Sequence, residues 1–264
     1  MQSKSLNIVR NALRPGFGPE MLRKLWLRWS ERNAPTRAEI AAWCAREQTD
    51  PSPWARRIDA ALWEEAERYA ADHKLHAERR TQELGVKLGG AGFYALIYFL
   101  TRLVRPQTIV ETGVAAGHSS RAFLTALEKN GSGELHSSDF PYFRLADPER
   151  FIGSLVEPEL REGWHLMIGS DHENLPRIAE RLTAIDLLHY DSDKSYHGRD
   201  FAMDVLGPKL APNAVIVFDD IQDNFHFRDF VARRGEPYLV FTYGGKWIGM
   251  TGGGERFYGS QTRS

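Results

Sequence analysis

Beyond Gly85 the chain alternates short β-rich runs with longer helical patterns, punctuated by Gly, Pro, Asn and Asp. That alternation limits the available folds more than any other feature does. Strands are expected at about 108–112, 134–138, 165–168, 185–190, 214–218, 238–241 and 246–250. Four of the first five connections are long enough for a helix, which implies right-handed βαβ crossovers and a parallel sheet. The last two runs are joined by Thr242, Tyr243, Gly244 and Gly245, a hairpin-length link that should close the sheet with an antiparallel pair. The expected class is α/β, a doubly wound, seven-stranded, mostly parallel sheet over residues 85–264. There is no internal repeat, and Gly252 to Gly254 with the polar residues after them read as a loose terminus.

Residues 1–84 read differently, as a helical extension. Up to Asn33 they carry seven basic residues (Lys4, Arg10, Arg14, Arg23, Lys24, Arg28, Arg32) against two acidic ones. Leu22, Leu25, Trp26 and Trp29 share one helical face, and a second helix is expected over about 53–82. Two roles are open to the basic segment: a membrane-surface or partner-docking helix, or a cap on the core or on a second subunit of a homo-oligomer. Across all 264 residues 34 Lys and Arg balance 35 Asp and Glu, which excludes a chain-wide basic footprint for nucleic acid. A single cysteine, Cys44, excludes an internal disulfide. The longest apolar stretch, Ala91 to Leu100, is too short to span a bilayer, and the first residues do not read as a signal peptide. Cytoplasmic residence is the expectation.

The strongest local signal runs from Thr108 through Glu111, Thr112, Gly113, Val114, Ala115, Ala116 and Gly117 to Ser119. An apolar strand enters a glycine-rich turn and then a helix, the arrangement in which a doubly wound sheet binds ligands at an exposed helix start. Gly113 and Gly117 would leave room for a ligand to approach the backbone. A dinucleotide site favours G-x-G-x-x-G; here the pattern is Glu-x-Gly-x-x-x-Gly, and an acid ahead of the first glycine suits an ammonium group and repels a phosphate. An ordinary strand-to-helix turn is the plain alternative.

These residues resemble the first motif of class I methyltransferases, which binds S-adenosyl-L-methionine. The resemblance covers about residues 90–250. It implies a Rossmann-like fold with Glu111, Gly113, Gly117 and Ser119 along the amino-acid and ribose part of that cofactor. It also implies Asp139, after the second expected strand, on the ribose hydroxyls, and Ser170 and Asp171 near the adenine. A carboxylate suits two hydroxyl donors in its own right.

A second signal is the delivery of Asp191 by the fourth expected strand, and of Asp219 and Asp220 by the fifth, to one edge of the sheet. Carboxylates packed together need a compensating cation or protons, and an all-oxygen set selects a hard ion such as Mg²⁺, with Mn²⁺ or Ca²⁺ also suited. A turn acid plus a helix cap is the alternative. The arrangement resembles metal-dependent O-methyltransferases of the catechol type, which implies metal ligation by Asp191, Asp219 and Asp220 and a base at Lys194. Asp220 stands where that family carries Asn. The stretch from Asp191 to Tyr196 looks still closer to the bacterial branch that includes macrocin and sugar O-methyltransferases, where a His replaces Lys194. His189, His197 and His226 are further base candidates, and Lys194 could instead be a surface lysine paired with Asp193 or Asp191.

The expected activity is transfer of a methyl group from S-adenosyl-L-methionine to a hydroxyl of a small molecule or sugar, assisted by a divalent ion. A nicotinamide-dependent oxidoreductase and a non-catalytic cofactor-binding scaffold are the competing classes.

Overall fold

The computed structural model describes residues 4–14, 17–30, 37–86, 89 and 92–258. Three helices, α1 (Lys4–Ala12), α2 (Phe17–Ser30) and α3 (Arg37–Glu47), precede a two-residue strand β1 (Gln48–Thr49) and the long α4 (Pro51–Leu84). Asp50 caps α4 by accepting from the Ser52 N–H, Pro51 sits where no helical donor is needed, and Gly85 closes the helix in the left-handed region. Asp59 breaks it into two parts: its own backbone is extended, and its side chain accepts from the Leu62 N–H at 2.9 Å, so it caps the second half as Asp50 caps the first. One face of α4 carries Trp54, Trp63 and Tyr69 into the same buried cluster as Phe99, Phe241 and Phe257, so this segment shares the core of the sheet.

Helix α5 (Tyr94–Val104) leads into β2 (Thr108–Thr112), α6 (His118–Asn130), β3 (Glu134–Asp139), β4 (Trp164–Ile168), α7 (Asp171–Arg181), β5 (Ile185–Tyr190), α8 (Tyr196–Leu206), β6 (Leu210–Phe218), α9 (His226–Arg234), β7 (Tyr238–Tyr243) and β8 (Lys246–Gly252). The sheet has eight strands in the order β1-β7-β8-β6-β5-β2-β3-β4. All seven expected strands are present. The eighth, β1, adds parallel to β7 through Gln48 and Thr49; two residues are too few to leave a period-two pattern in a sequence. Helices α6, α7, α8 and α9 fill four of the five crossovers, while residues 140–163 cross with short 3₁₀ turns instead. Strands β7 and β8 pair antiparallel and extend further than expected, to Tyr243 opposite Lys246, leaving only Gly244 and Gly245 in the turn. Both have positive φ, as a two-residue hairpin turn of type I′ requires. Gly252, expected in the loose end, is the last residue of β8.

Chain order reverses between β5 and β2, with β3 and β4 on one side and β6 on the other. That switch point opens a crevice at the carboxyl ends of the strands, where open α/β sheets bind ligands. Among the described residues no helix is long and apolar enough to cross a membrane.

Candidate active site

A cavity of about 1520 Å³ lies over this crevice, between the strand ends and α2 and α3, which contribute Met21, Arg37 and Ile40 to its wall. That exceeds the roughly 300–1,000 Å³ of a single-ligand pocket. The wall carries seven aspartates (Asp139, Asp171, Asp191, Asp193, Asp219, Asp223, Asp229) against Arg37, Arg144, Lys194 and Lys246. The excess of acid favours a cationic ligand and disfavours a pyrophosphate.

Gly113, Val114, Ala115, His118 and Ser119 line the floor. The glycines have a different physical reason from the one expected. A Cβ on Gly113 (φ +85°) would lie 2.6 Å from the Asp191 carbonyl oxygen, and one on Gly117 (φ +93°) would lie 2.8 Å from Gly153 Cα. What they admit is protein backbone: the β5 end at one glycine, and at the other the 140–163 crossover, whose Gly153 and Leu155 N–H groups donate to Ala115 and Ala116 at 2.9 Å each. Gly117 does not line the cavity. Gly113→Ala should therefore destabilise the protein by about 2 kcal/mol or more in urea unfolding. Gly131→Ala, with a similar φ of +75° and nothing within 4 Å of its Cβ, should cost clearly less. Equal losses would remove the packing argument.

Glu111 is wholly buried behind the floor, where it accepts hydrogen bonds from Ser119, from Ser120 at 2.6 Å and from Ser137 at 2.8 Å. Burial pushes its carboxyl upward, and it acts on the cavity through the helix start that it holds. Asp139 ends β3 at the wall, is only 8% exposed, and accepts from the Ala115 N–H at 3.1 Å. Burial pushes its carboxyl up to about 7 against the pull of the Phe140 and Ala115 N–H groups. Ser170 caps α7 by accepting from the Glu173 N–H, while Asp171 faces the cavity and accepts from Ser138 at 2.8 Å and Ser192 at 2.5 Å.

Asp191, Asp219 and Asp220 come together: one oxygen from each lies within 4.8 Å of the others. Asp220 adopts the left-handed conformation at φ +50°, open to Asn and Asp among non-glycine residues, which accounts physically for either at this position. Arg199, completely buried, donates to the Asp219 and Asp220 carbonyls at 2.9 Å each and holds this turn. The Lys194 ammonium lies 2.7 Å from Asp191 Oδ1 and pairs with Asp220 Oδ2, and Lys246 sits 3.1 Å from Asp220 Oδ1. The acids thus have two ammoniums of their own. Burial, and then repulsion by Asp219, still raise the Asp191 carboxyl against the pull of Lys194. The donor set fits a hard dication, which would draw the carboxylate oxygens from both lysines.

Of the histidines, His189 lines the cavity and is held neutral by burial, whereas His197 and the buried His226 are not part of its wall. Sequence reading passed over Arg199 and Lys246, which bear no motif, and His73. His73 Nε2 lies 3.0 Å from His118 Nδ1, and Tyr94 stacks on His118 with ring centres 5.2 Å apart. Burial lowers His118 to about 4 and His73 to about 3, so the helix start adds no imidazolium to the acidic cavity.

The N-terminal helices close the cavity from outside. Asn11 donates to the Phe143 and Leu145 carbonyls at 2.9 Å each, and Arg23 on α2 reaches Asp193 at 2.9 Å. Of the expected apolar stripe, Leu22 and Trp26 are 67% and 60% exposed and so do not pack on this chain's core, while the side chains of Leu25 and Trp29 lie outside the described residues.

Residues 110–221 match the family model described as a methyltransferase domain. That segment is similar to a methyltransferase domain. The matched segment starts in β2 and ends just past Asp219 and Asp220, so it contains the glycine turn and the acid cluster. Among solved structures the chain is similar to the O-methyltransferase of Bacillus cereus in complex with S-adenosylhomocysteine (15% identity, TM-score 0.55, 69% of this chain and 90% of that one). It is similar as well to TomG of Streptomyces achromogenes, in complex with S-adenosylmethionine and involved in tomaymycin synthesis (18%, 0.55, 69% and 90%). A methyltransferase of Geobacter sulfurreducens gives 19% identity and a TM-score of 0.50 over 81% of this chain and 97% of that one. At these identities the likeness is one of fold. No curated protein matches the chain.

Proposed function

We propose that the protein transfers a methyl group from S-adenosyl-L-methionine to a hydroxyl of a small molecule or sugar, with a divalent ion at Asp191, Asp219 and Asp220. The observation that carries this reading is the sign of the cavity: acids outnumber fixed cations around a crevice large enough for a sulfonium cofactor and an acceptor together. Bound there, the cofactor supplies a methyl carbon made electrophilic by its sulfonium. Asp139 would accept from the ribose hydroxyls, the turn at Gly113 to Ser119 would support the amino-acid end, and Asp171 would face the adenine. Mg²⁺ held by the three aspartates would lower the pKa of an acceptor hydroxyl, and Lys194, displaced from the carboxylates by the ion and in its neutral amine form, would take the proton. Met21, Ile40 and α2 exclude water from above. Positioning by these walls supplies several kcal/mol of the acceleration.

Titration calorimetry with S-adenosylmethionine and with NAD, followed by methyl-transfer assays on catechols and sugars with Mg²⁺ or a chelator, tests the reading. Binding of NAD in place of S-adenosylmethionine overturns it; cofactor binding without transfer to any hydroxyl would favour a non-catalytic protein.

Asp139 sets a pH dependence. Its folded-state pKa of about 7 lies above its usual 3.8, so its contribution to stability is fully present below the unfolded value and is lost as pH rises toward and through 7. Cofactor affinity runs the other way, because the ribose hydroxyls require the ionised acceptor. Affinity should rise about tenfold from pH 6 to pH 8, and Asp139→Asn should flatten the rise. A flat wild-type profile would take Asp139 off the ribose.

A further inference from the structure

At the amino-terminal ends of β3 and β4, away from the catalytic edge, three metal-ligating side chains share one face of the sheet. Glu134 and His136 are two residues apart on β3, and His136 is paired in register with His165 on β4. Their face looks toward α7, since Ser138, next on that face, bonds to Asp171 and Asn174. The two imidazoles stack with centres 4.6 Å apart and planes 20° apart. Both Nε2 atoms approach the same oxygen, Glu134 Oε2, at 3.6 Å from His136 and 3.3 Å from His165. One donor atom from each residue lies within 4.8 Å of the others.

We propose that Glu134, His136 and His165 form a second metal site, for a zinc-class divalent cation. Two ligands each about 2.1 Å from a tetrahedral ion stand about 3.4 Å apart, close to the 3.3 and 3.6 Å that separate Glu134 Oε2 from the two imidazole nitrogens. Two imidazoles and one carboxylate favour Zn²⁺, Ni²⁺ or Cu²⁺ over Mg²⁺ or Ca²⁺, so this set and the all-oxygen cluster select different ions. His136 is buried beneath the stacked His165 ring. Arg181, at the end of α7, is the facing positive charge. Glu134 and His165 are 58% and 49% exposed, which provides the entry path and leaves the remaining coordination positions to water. Because β4 is the outer strand of the sheet, an ion here ties the edge to β3 and acts on stability instead of chemistry.

Zn²⁺ titrated calorimetrically into the full chain in excess Mg²⁺ should bind one site and raise Tm. Co²⁺ should give the visible bands of a tetrahedral centre. His165→Ala and Glu134→Gln, both at exposed positions, should each weaken Zn²⁺ by at least about tenfold and remove the Tm rise and the Co²⁺ bands, while Asp191→Asn should leave all three unchanged. Zinc binding that is absent, that survives both His165→Ala and Glu134→Gln, or that disappears in Asp191→Asn overturns the assignment.

Discussion

Asp219→Asn, and Asp191→Asn or Asp191→Ala, will abolish metal-dependent turnover and leave the affinity for S-adenosylmethionine within a few-fold of wild type. Asp219 is 5% exposed at the cavity wall, and Asp191, Asp219 and Asp220 together offer the oxygen ligands for an ion. Removing one carboxylate removes a ligand and part of the field that draws a dication between two lysines. The charge stabilisation at stake is worth several kcal/mol, so the loss in kcat should be at least about 10²-fold. In the proposed reading the cofactor would rest on other residues, Asp139 and the turn from Gly113, so its binding constant should change little. Activity assays with Mg²⁺ titrated back after chelation, together with cofactor calorimetry, check both halves. If cofactor binding collapses with turnover, the acids belong to the cofactor pocket; if chelation leaves wild-type turnover intact, Lys194 and Lys246 are the only counter-charge the cluster uses.

Lys194→Ala will lower kcat by about 10²–10⁴ and tighten Mg²⁺ binding. Lys194 pairs with Asp191 and Asp220, the same carboxylates that would hold the ion, so ammonium and dication compete for those oxygens. Without the lysine the acids repel one another more strongly and bind a dication better. The proton of the acceptor hydroxyl would also lose its recipient, so the pH–rate profile should change. Metal titration and a pH–rate profile separate the two effects. An unchanged profile removes Lys194 from proton transfer and leaves it as a counter-ion.

The β-rich runs and the helical stretches between them were legible because the interior strands bury most of their residues and each crossover helix buries one face, so hydrophobic period follows the backbone directly. Strand boundaries at 108–112 and 185–190 coincide with β2 and β5, two interior strands, where burial on both faces leaves little freedom. The convergence of Asp191 with Asp219 and Asp220 was legible for the same reason: adjacent parallel strands deliver their next residues to one edge.

The partners of those residues were decided only in three dimensions. Gly113 and Gly117 read as ligand space but are shaped by the β5 end and the 140–163 crossover, because a missing Cβ records a close neighbour without naming it. Lys246 and Arg199 bear on the acid cluster from β8 and α8, and β1 joins the sheet with two residues; neither spacing nor periodicity encodes such long-range pairings. The basic N-terminal helices show the same limit. Their amphipathic pattern announced a face to bury, yet the tertiary packing attaches them through Asn11 and Arg23 and leaves Leu22 and Trp26 outward, because polar groups over the acidic cavity found complementary partners there.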